Sequence, residues 1–422
     1  MILNKTKLGK KKFDTSEKPW KSPWYIKALQ RVLMAYYKVI TGYKLKKTGM
    51  EGVEPPYLIL QNHTAFLDFG LVADFVRPDT TAFVSSIEEF VGREWLMRAC
   101  GCMYKRKFTP DVNVIKNIVY SLKTNKKSVT IYPEARFSIA GVTEEGDLES
   151  YARLIRLCKV PVVMGIGKGT FIMSPQFAKH PYKKIPIEAE FKLLFTAEET
   201  QTLSKEEIVN RLKENFVYDD FKYWQENGFK VKSKYRAKNL HKVLYQCPHC
   251  NTEFSMNSDK NRLFCERCGH EWELLETGFL QAKEGETYFN HVPDWYRWER
   301  ENVKKQVEEG TYALHAKARL EHLVCSHTGF KKLGTVDFYH DQNGFTLNGK
   351  LDDGSEFNFN RSVPSMYSCH IEYDFKKRGD AIDLATQDET YFVFPELYNH
   401  LTKIHLATEE LFKFHKLKEQ NC

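Results

Sequence analysis

Between residues 57 and 215 short apolar runs and helical patterns take turns, and this alternation restricts the fold more than any other feature of the chain. Runs with strand character are Tyr57–Gln61, Thr81–Ser85, Ser128–Tyr132, Val160–Ile166 and Ile185–Phe195. Helical patterns cover Asp68–Phe75, Ile87–Cys100, Val112–Lys123, Leu148–Leu157 and Lys205–Asn215. Strand and helix in alternation predict an α/β sheet with helices on both faces. The last run, IPIEAEFKLLF, alternates less cleanly and is expected at a sheet edge.

A chain of 422 residues exceeds one ordinary domain of roughly 100–200 residues, so two or three cores are expected. The pairs CPHC (Cys247, Cys250) and CERCGH (Cys265, Cys268) are separated by fourteen residues, a spacing that lets four thiolates close a tetrahedron around zinc. This resembles a zinc ribbon over residues 240–276, with a structural metal and no open coordination position; His249 and His270 are neighbours and not ligands. The other cysteines, Cys100, Cys102, Cys158, Cys325, Cys369 and Cys422, lack paired spacing and read mostly as packing residues. From Thr311 short alternating strands return, separated by turns such as Gln342-Asn343-Gly344 and Asp352-Asp353-Gly354. Seven strands and a closing helix over Leu397–Lys416 are similar in element order to a pleckstrin-homology or GRAM barrel, giving an antiparallel β-domain over 311–422.

Charge is concentrated at the start. Residues 1–50 hold thirteen Lys and Arg against two acids, +11, while the whole chain is +8. After a basic segment (1–23), Trp24–Ile40 reads as an amphipathic helix, with Ile26, Leu29, Leu33, Tyr36 and Ile40 on one side and Lys27, Arg31 and Lys38 opposite. Such a helix suits an anionic membrane surface, and packing on its own domain is the competing reading. No apolar run reaches the ~18 residues of a bilayer span, and MILNKTKLGKKKFDT lacks the apolar stretch of a secretory signal. These readings place the chain in the cytoplasm, peripheral on a membrane.

Polar residues with chemical potential fall beyond the expected strands: His63 and Asp68 in QNHTAFLDFG, Arg106 and Lys107 in GCMYKRK, and Glu134 and Arg136 in YPEARFS. In an open α/β sheet the crevice beyond the strand carboxyl ends is where ligands bind. NHTAFLD resembles the His-x4-Asp signature of the glycerolipid (1-acylglycerol-3-phosphate) acyltransferase family. GCMYKRK is similar to that family's second block, YPEARFS to its third, Phe-Pro-Glu-Gly-Thr-Arg-Ser, and VPVVMGI to its fourth. The resemblance covers residues 25 to 220 or so, within a domain of 24–235, and implies a mixed acyltransferase-type sheet. In the third block Ala135 stands where the family has glycine, the arginine comes one residue early, and Phe137 occupies its place. In the fourth, Met164 replaces the second proline.

The resemblance implies transfer of an acyl group from an acyl thioester, acyl-CoA or acyl carrier protein, to a glycerolipid hydroxyl, with lysophosphatidate the expected acceptor in phospholipid synthesis. Glycerol 3-phosphate and other lysophospholipids stay open. A neutral histidine, ordinary pKa ~6.5, can take the hydroxyl proton, and a carboxylate on its other nitrogen fixes the tautomer. His63 and Asp68 fit those roles. Five positions apart they lie about 140° apart on an ideal helix, so His63 must precede the helix, with Asn62 as its cap and free N–H groups at the helix start available to an oxyanion. The resemblance gives Arg106, Lys107, Glu134 and Arg136 to the acceptor. The basic run FKVKSKYRAKNLHK (Phe229–Lys242) admits nucleic acid as a partner, but a scaffold has no use for an intact His–Asp pair.

Overall fold

The computed structural model describes residues 12–421 apart from 145, 179 and 180; the basic residues 1–11 and Cys422 lie outside them. The first unit is a seven-stranded mixed sheet of order β1-β7-β6-β2-β5-β3-β4. Its strands are β1 (Lys44–Thr48), β2 (Leu58–Gln61), β3 (Thr81–Ser86), β4 (Met103–Lys105), β5 (Ser128–Ile131), β6 (Val162–Lys168) and β7 (Glu188–Phe195). Only β6 and β7 pair antiparallel; the other neighbours are parallel.

Helices cover both faces. They are α1 (Trp24–Thr41), α2 (Leu67–Phe75), α3 (Glu94–Ala99), α4 (Val112–Lys123), α5 (Leu148–Cys158), α6 (Thr170–Met173), α7 (Glu199–Thr202), α8 (Lys205–Asn215) and α9 (Asp220–Asn227). The two-residue period of the strands sorts the core: Leu58, Leu60, Val129 and Val162 pack with Ile118, Ile155 and Ile208 of α4, α5 and α8. Ile59, Phe83 and Val163 face the other way, toward Leu71 and Phe75 of α2.

Two sequence expectations are corrected here. The run IPIEAEFKLLF forms β7, which is flanked by β1 and β6 and is not an edge. The edge is β1, whose KLKKT reads as charge, and lysines on an edge strand discourage pairing with another chain. The helix expected over Ile87–Cys100 splits into a 3-10 turn, Ile87–Phe90, and α3, because Gly92 adopts a positive φ of 74° between them.

The second unit is a four-stranded antiparallel sheet, β8 (Met256–Asp259), β9 (Arg262–Cys265), β10 (Glu271–Leu274) and β11 (Leu280–Ala282), in the order β11-β10-β9-β8. Helix α10 (Val292–Glu308), led by Pro293, follows. The third unit holds β12 (Ala313–Cys325), β13 (Gly329–Asp341), β14 (Gly344–Lys350), β15 (Glu356–Ser362), β16 (His370–Glu372), β17 (Ala381–Ala385) and β18 (Thr390–Pro395). All seven expected strands are present, in the order β15-β14-β13-β12-β18-β17-β16. Among the described residues β15 and β16 end the strand order and are not paired with each other. Helix α11 begins at Leu401 and runs to Asn421.

Helix α1 rests on the domain along a narrow stripe of Ile26, Met34 and half-buried Tyr37 and leaves its broader apolar face outside. At its flank Arg31 donates to Pro78 O at 2.9 Å, and Lys38 lies 3.5 Å from Asp74. Ile26 alone is buried, while Trp24, Val32, Tyr36 and Val39 are 79, 67, 62 and 84% exposed. No helix among the described residues is long and apolar enough to cross a membrane.

Candidate active site

His63 follows β2 directly, Glu134 follows β5 closely, and these strands are neighbours at the middle of the sheet. His63 lies on a loop four residues before α2 starts, which removes the 140° separation a straight helix would impose. Its Nδ1 is 3.2 Å from Asp68 Oδ2. The same oxygen accepts the main-chain N–H groups of Thr64 at 2.6 Å and Ala65 at 2.9 Å. Asp68 is therefore the cap of this turn. Asn62, expected in that role, instead bridges to β6: Nδ2 donates to Gly167 O at 3.0 Å and Oδ1 accepts from Gly167 N at 2.8 Å. The N–H groups of Thr64 and Ala65 are thus committed to Asp68 and not free for an oxyanion.

Glu134 and Ser138 clamp the His63 backbone from the YPEARFS loop. Glu134 Oε1 accepts the His63 N–H at 3.2 Å, and the Ser138 N–H donates to His63 O at 2.7 Å. Ala135 holds a positive φ of 55°, a left-handed conformation that favours glycine. On the other side Thr64 Oγ1 meets Thr170 Oγ1 at 2.5 Å. Asp220 fixes that segment by accepting N–H groups of Gly169, Phe171 and Ile172 at 2.6, 2.7 and 3.2 Å. Thr170 and Asp220 carry no motif signal; a local pattern cannot show that residue 220 caps α6.

The His63 ring contacts Tyr132, near-parallel at a centroid distance of 3.8 Å, and Phe137 at 4.0 Å, with Phe69 edge-on at 5.4 Å. Burial among these rings lowers its pKa below the ordinary value against the pull of Asp68. Burial therefore favours the neutral imidazole. Burial also pushes the Glu134 carboxyl up to about 8, opposed by Arg136.

The basic residues expected to hold an acceptor are elsewhere engaged. Arg106 donates to Asp388 O at 2.8 Å. Lys107 Nζ lies 2.5 Å from Glu88, 3.3 Å from Asp383 and 3.5 Å from Glu372. Burial disfavours its charge, but those carboxylates outweigh burial and keep the ammonium well above the usual lysine range. Arg136 turns away from His63 to pair with Glu144 and, at 3.1 Å, with Glu409 of α11. Arg300 of α10, which drew no attention in the sequence, pairs with Glu144 too and reaches Glu409 at 2.7 Å and Glu410 at 2.9 Å. Neither Arg136 nor Arg106 is shown in contact with His63. In the basic run Phe229–Lys242, Arg236 bonds Glu273 at 2.9 Å and Lys242 pairs with Asp380 at 2.7 Å, while Lys230, Lys232, Lys234 and Lys238 are exposed.

Residues 44–164 match the family model described as Acyltransferase. The chain carries an acyltransferase-family domain. His63, Asp68, Glu134 and Arg136 all lie inside the matched stretch. The crystal structure of the 1-acyl-sn-glycerophosphate (LPA) acyltransferase, PlsC, from Thermotoga maritima is similar at 17% identity and a TM-score of 0.36. That match covers 46% of this chain and 76% of the other. No curated protein sequence matches.

Outside the acyltransferase domain, Cys247, Cys250, Cys265 and Cys268 place their sulfurs within 4.8 Å of one another. Cys247–Cys268 and Cys250–Cys265 are each 3.8 Å apart. A tetrahedron with Zn–S bonds of about 2.3 Å has edges of about 3.8 Å, so the four thiols fit one zinc ion. Such an ion is structural, all four positions being taken by protein. His249 and His270 stack on each other at 4.7 Å and hydrogen-bond Tyr288 and Glu286 O, outside the sulfur cluster.

Proposed function

We propose that the acyltransferase domain transfers a fatty acyl group from an acyl thioester, acyl-CoA or acyl carrier protein, to the hydroxyl of a glycerolipid acceptor, with lysophosphatidate as the leading candidate. The observation that carries this reading is the buried His63–Asp68 pair at the carboxyl end of a central parallel strand, inside the family match. With Nδ1–H donated to Asp68, Nε2 is the free base. It takes the acceptor hydroxyl proton as the oxygen attacks the thioester carbonyl. The tetrahedral intermediate collapses with loss of the thiolate, which accepts the proton back from the imidazolium. A thiol of pKa ~8.5 leaves readily, so no second acid is required.

The exposed apolar face of α1 supports delivery of this crevice to a membrane surface, since aromatic and aliphatic side chains gain by entering the headgroup boundary. The test is acyl transfer from one labelled thioester to a panel of lysophosphatidate, glycerol 3-phosphate, lysophospholipids and monoacylglycerol, read by lipid mass spectrometry. His63→Ala should abolish transfer to whichever acceptor the native chain uses. Undiminished activity would remove His63 as base.

A further inference from the structure

The third unit sits against the crevice through charge. Arg106, Lys107 and Arg136, the cations that the sequence blocks offer to an acceptor, each have a partner from that unit. Arg106 meets the Asp388 carbonyl, Lys107 meets Glu372 of β16 and Asp383 of β17, and Arg136 meets Glu409 of α11. His370 of β16 brings its ring to 6.5 Å from Phe137, the residue stacked near His63. His63 itself is only 8% exposed. The arrangement closes the crevice with acidic groups and leaves the base almost no open surface.

Carboxylates and phosphate monoesters make the same charge-assisted hydrogen bonds to Lys and Arg. When the C-terminal carboxylates leave, Lys107 keeps Glu88 and Arg136 keeps Glu144, but each loses part of its anionic surroundings, and an incoming anion makes good that loss. We propose that the antiparallel C-terminal unit is a displaceable cap, in which Asp383, Glu372 and Glu409 occupy the positions of an acceptor's anionic headgroup. A phosphate-bearing lysolipid would then open the crevice by exchanging ion-pair partners at Lys107 and Arg136. This rests on the acyltransferase reading above. It makes the anionic headgroup both ligand and key, because an uncharged acceptor restores none of the ion pairs lost with Glu372, Asp383 and Glu409.

The experiment uses the full chain. Hydrogen exchange of the amides in residues 370–385 is followed with lysophosphatidate, with monoacylglycerol of the same chain, and with neither, all without acyl donor. Exchange should speed up about ten-fold with lysophosphatidate and stay unchanged with monoacylglycerol. In parallel, Asp383→Asn, which leaves Lys107 its Glu88 and Glu372 partners, should raise kcat/KM for lysophosphatidate about ten-fold, chiefly through KM, and narrow the preference over monoacylglycerol. Lysophosphatidate acylated without any change in exchange, or a fall in kcat/KM in Asp383→Asn, would overturn the cap. Opening by lysophosphatidate without His63-dependent transfer would instead sink the acyltransferase reading and leave the cap standing. Should Asp383→Asn fail to fold, the exchange measurement on the native chain decides alone.

Discussion

Replacing Asp68 by Asn is the most informative single change, because one oxygen serves both the fold and the proposed chemistry. Asp68 Oδ2 accepts N–H groups from Thr64 and Ala65 and contacts His63 Nδ1 at 3.2 Å in a fully buried position. Hydrogen bonds to a charged acceptor contribute about 1.5–3 kcal/mol, neutral ones about 1, so neutralising the two backbone interactions should cost about 2 kcal/mol of stability. Activity should suffer far more. An amide oxygen in that place can still accept the Nδ1–H but carries no charge to stabilise the imidazolium, and loss of the orienting carboxylate lowers kcat by about 10⁴-fold in a comparable triad. Asp68 also raises the His63 pKa against burial. Its removal therefore moves the acid limb of the pH profile, which marks protonation of the base and lies below 6.5 in the native chain, to still lower pH. Thermal unfolding and initial rates of acyl transfer from about pH 4 to 8 measure all three effects. A folded variant with activity within about ten-fold of native would refute the role given to Asp68.

Other outcomes can be checked more briefly. Metal analysis should give one zinc per chain, and chelation should unfold the four-cysteine unit, because structural zinc contributes apparent binding of about 10–16 kcal/mol against a whole-domain stability of about 5–15. A metal-free preparation with unaltered melting would contradict this. Val32→Asp with Val39→Asp on α1, at positions 67 and 84% exposed, should leave unfolding within about 0.5 kcal/mol yet abolish co-sedimentation with anionic vesicles. Equal sedimentation of both proteins would leave α1 without the proposed membrane role. Ala135→Gly should stabilise the chain by about 1 kcal/mol in urea unfolding, since its positive φ of 55° strains any side chain.

What could be read from the sequence follows from distance along the chain. His63 and Asp68 lie five positions apart, and the cysteines within each pair three apart, so their geometry is set by one loop or one hairpin. The seven C-terminal strands announce themselves through alternation and turn residues. By contrast β1 hides because three of its five residues are lysine, and β4 is only three residues long. Asp388, which receives Arg106, and Glu409, which meets Arg136, stand 282 and 273 residues further on, a separation that leaves no local trace. The arginines were recognisable as functional candidates; that the same chain neutralises them was not. Asn62 shows a subtler limit: its side chain suits a cap, yet a carboxylate six residues later wins the N–H groups because a charged acceptor binds them more strongly.

The network that joins Arg136 and Glu144 to Arg300, Glu409 and Glu410 also bears on synthesis. A ribosome releases the first unit well before Glu409 exists, and domains fold in order of emergence. For that interval Arg136 lacks Glu409, and Lys107 lacks Asp383 and Glu372. The nascent first unit therefore holds Lys107 with Glu88 alone and Arg136 with Glu144 alone, beside an apolar helix, until β16, β17 and α11 emerge and add their carboxylates.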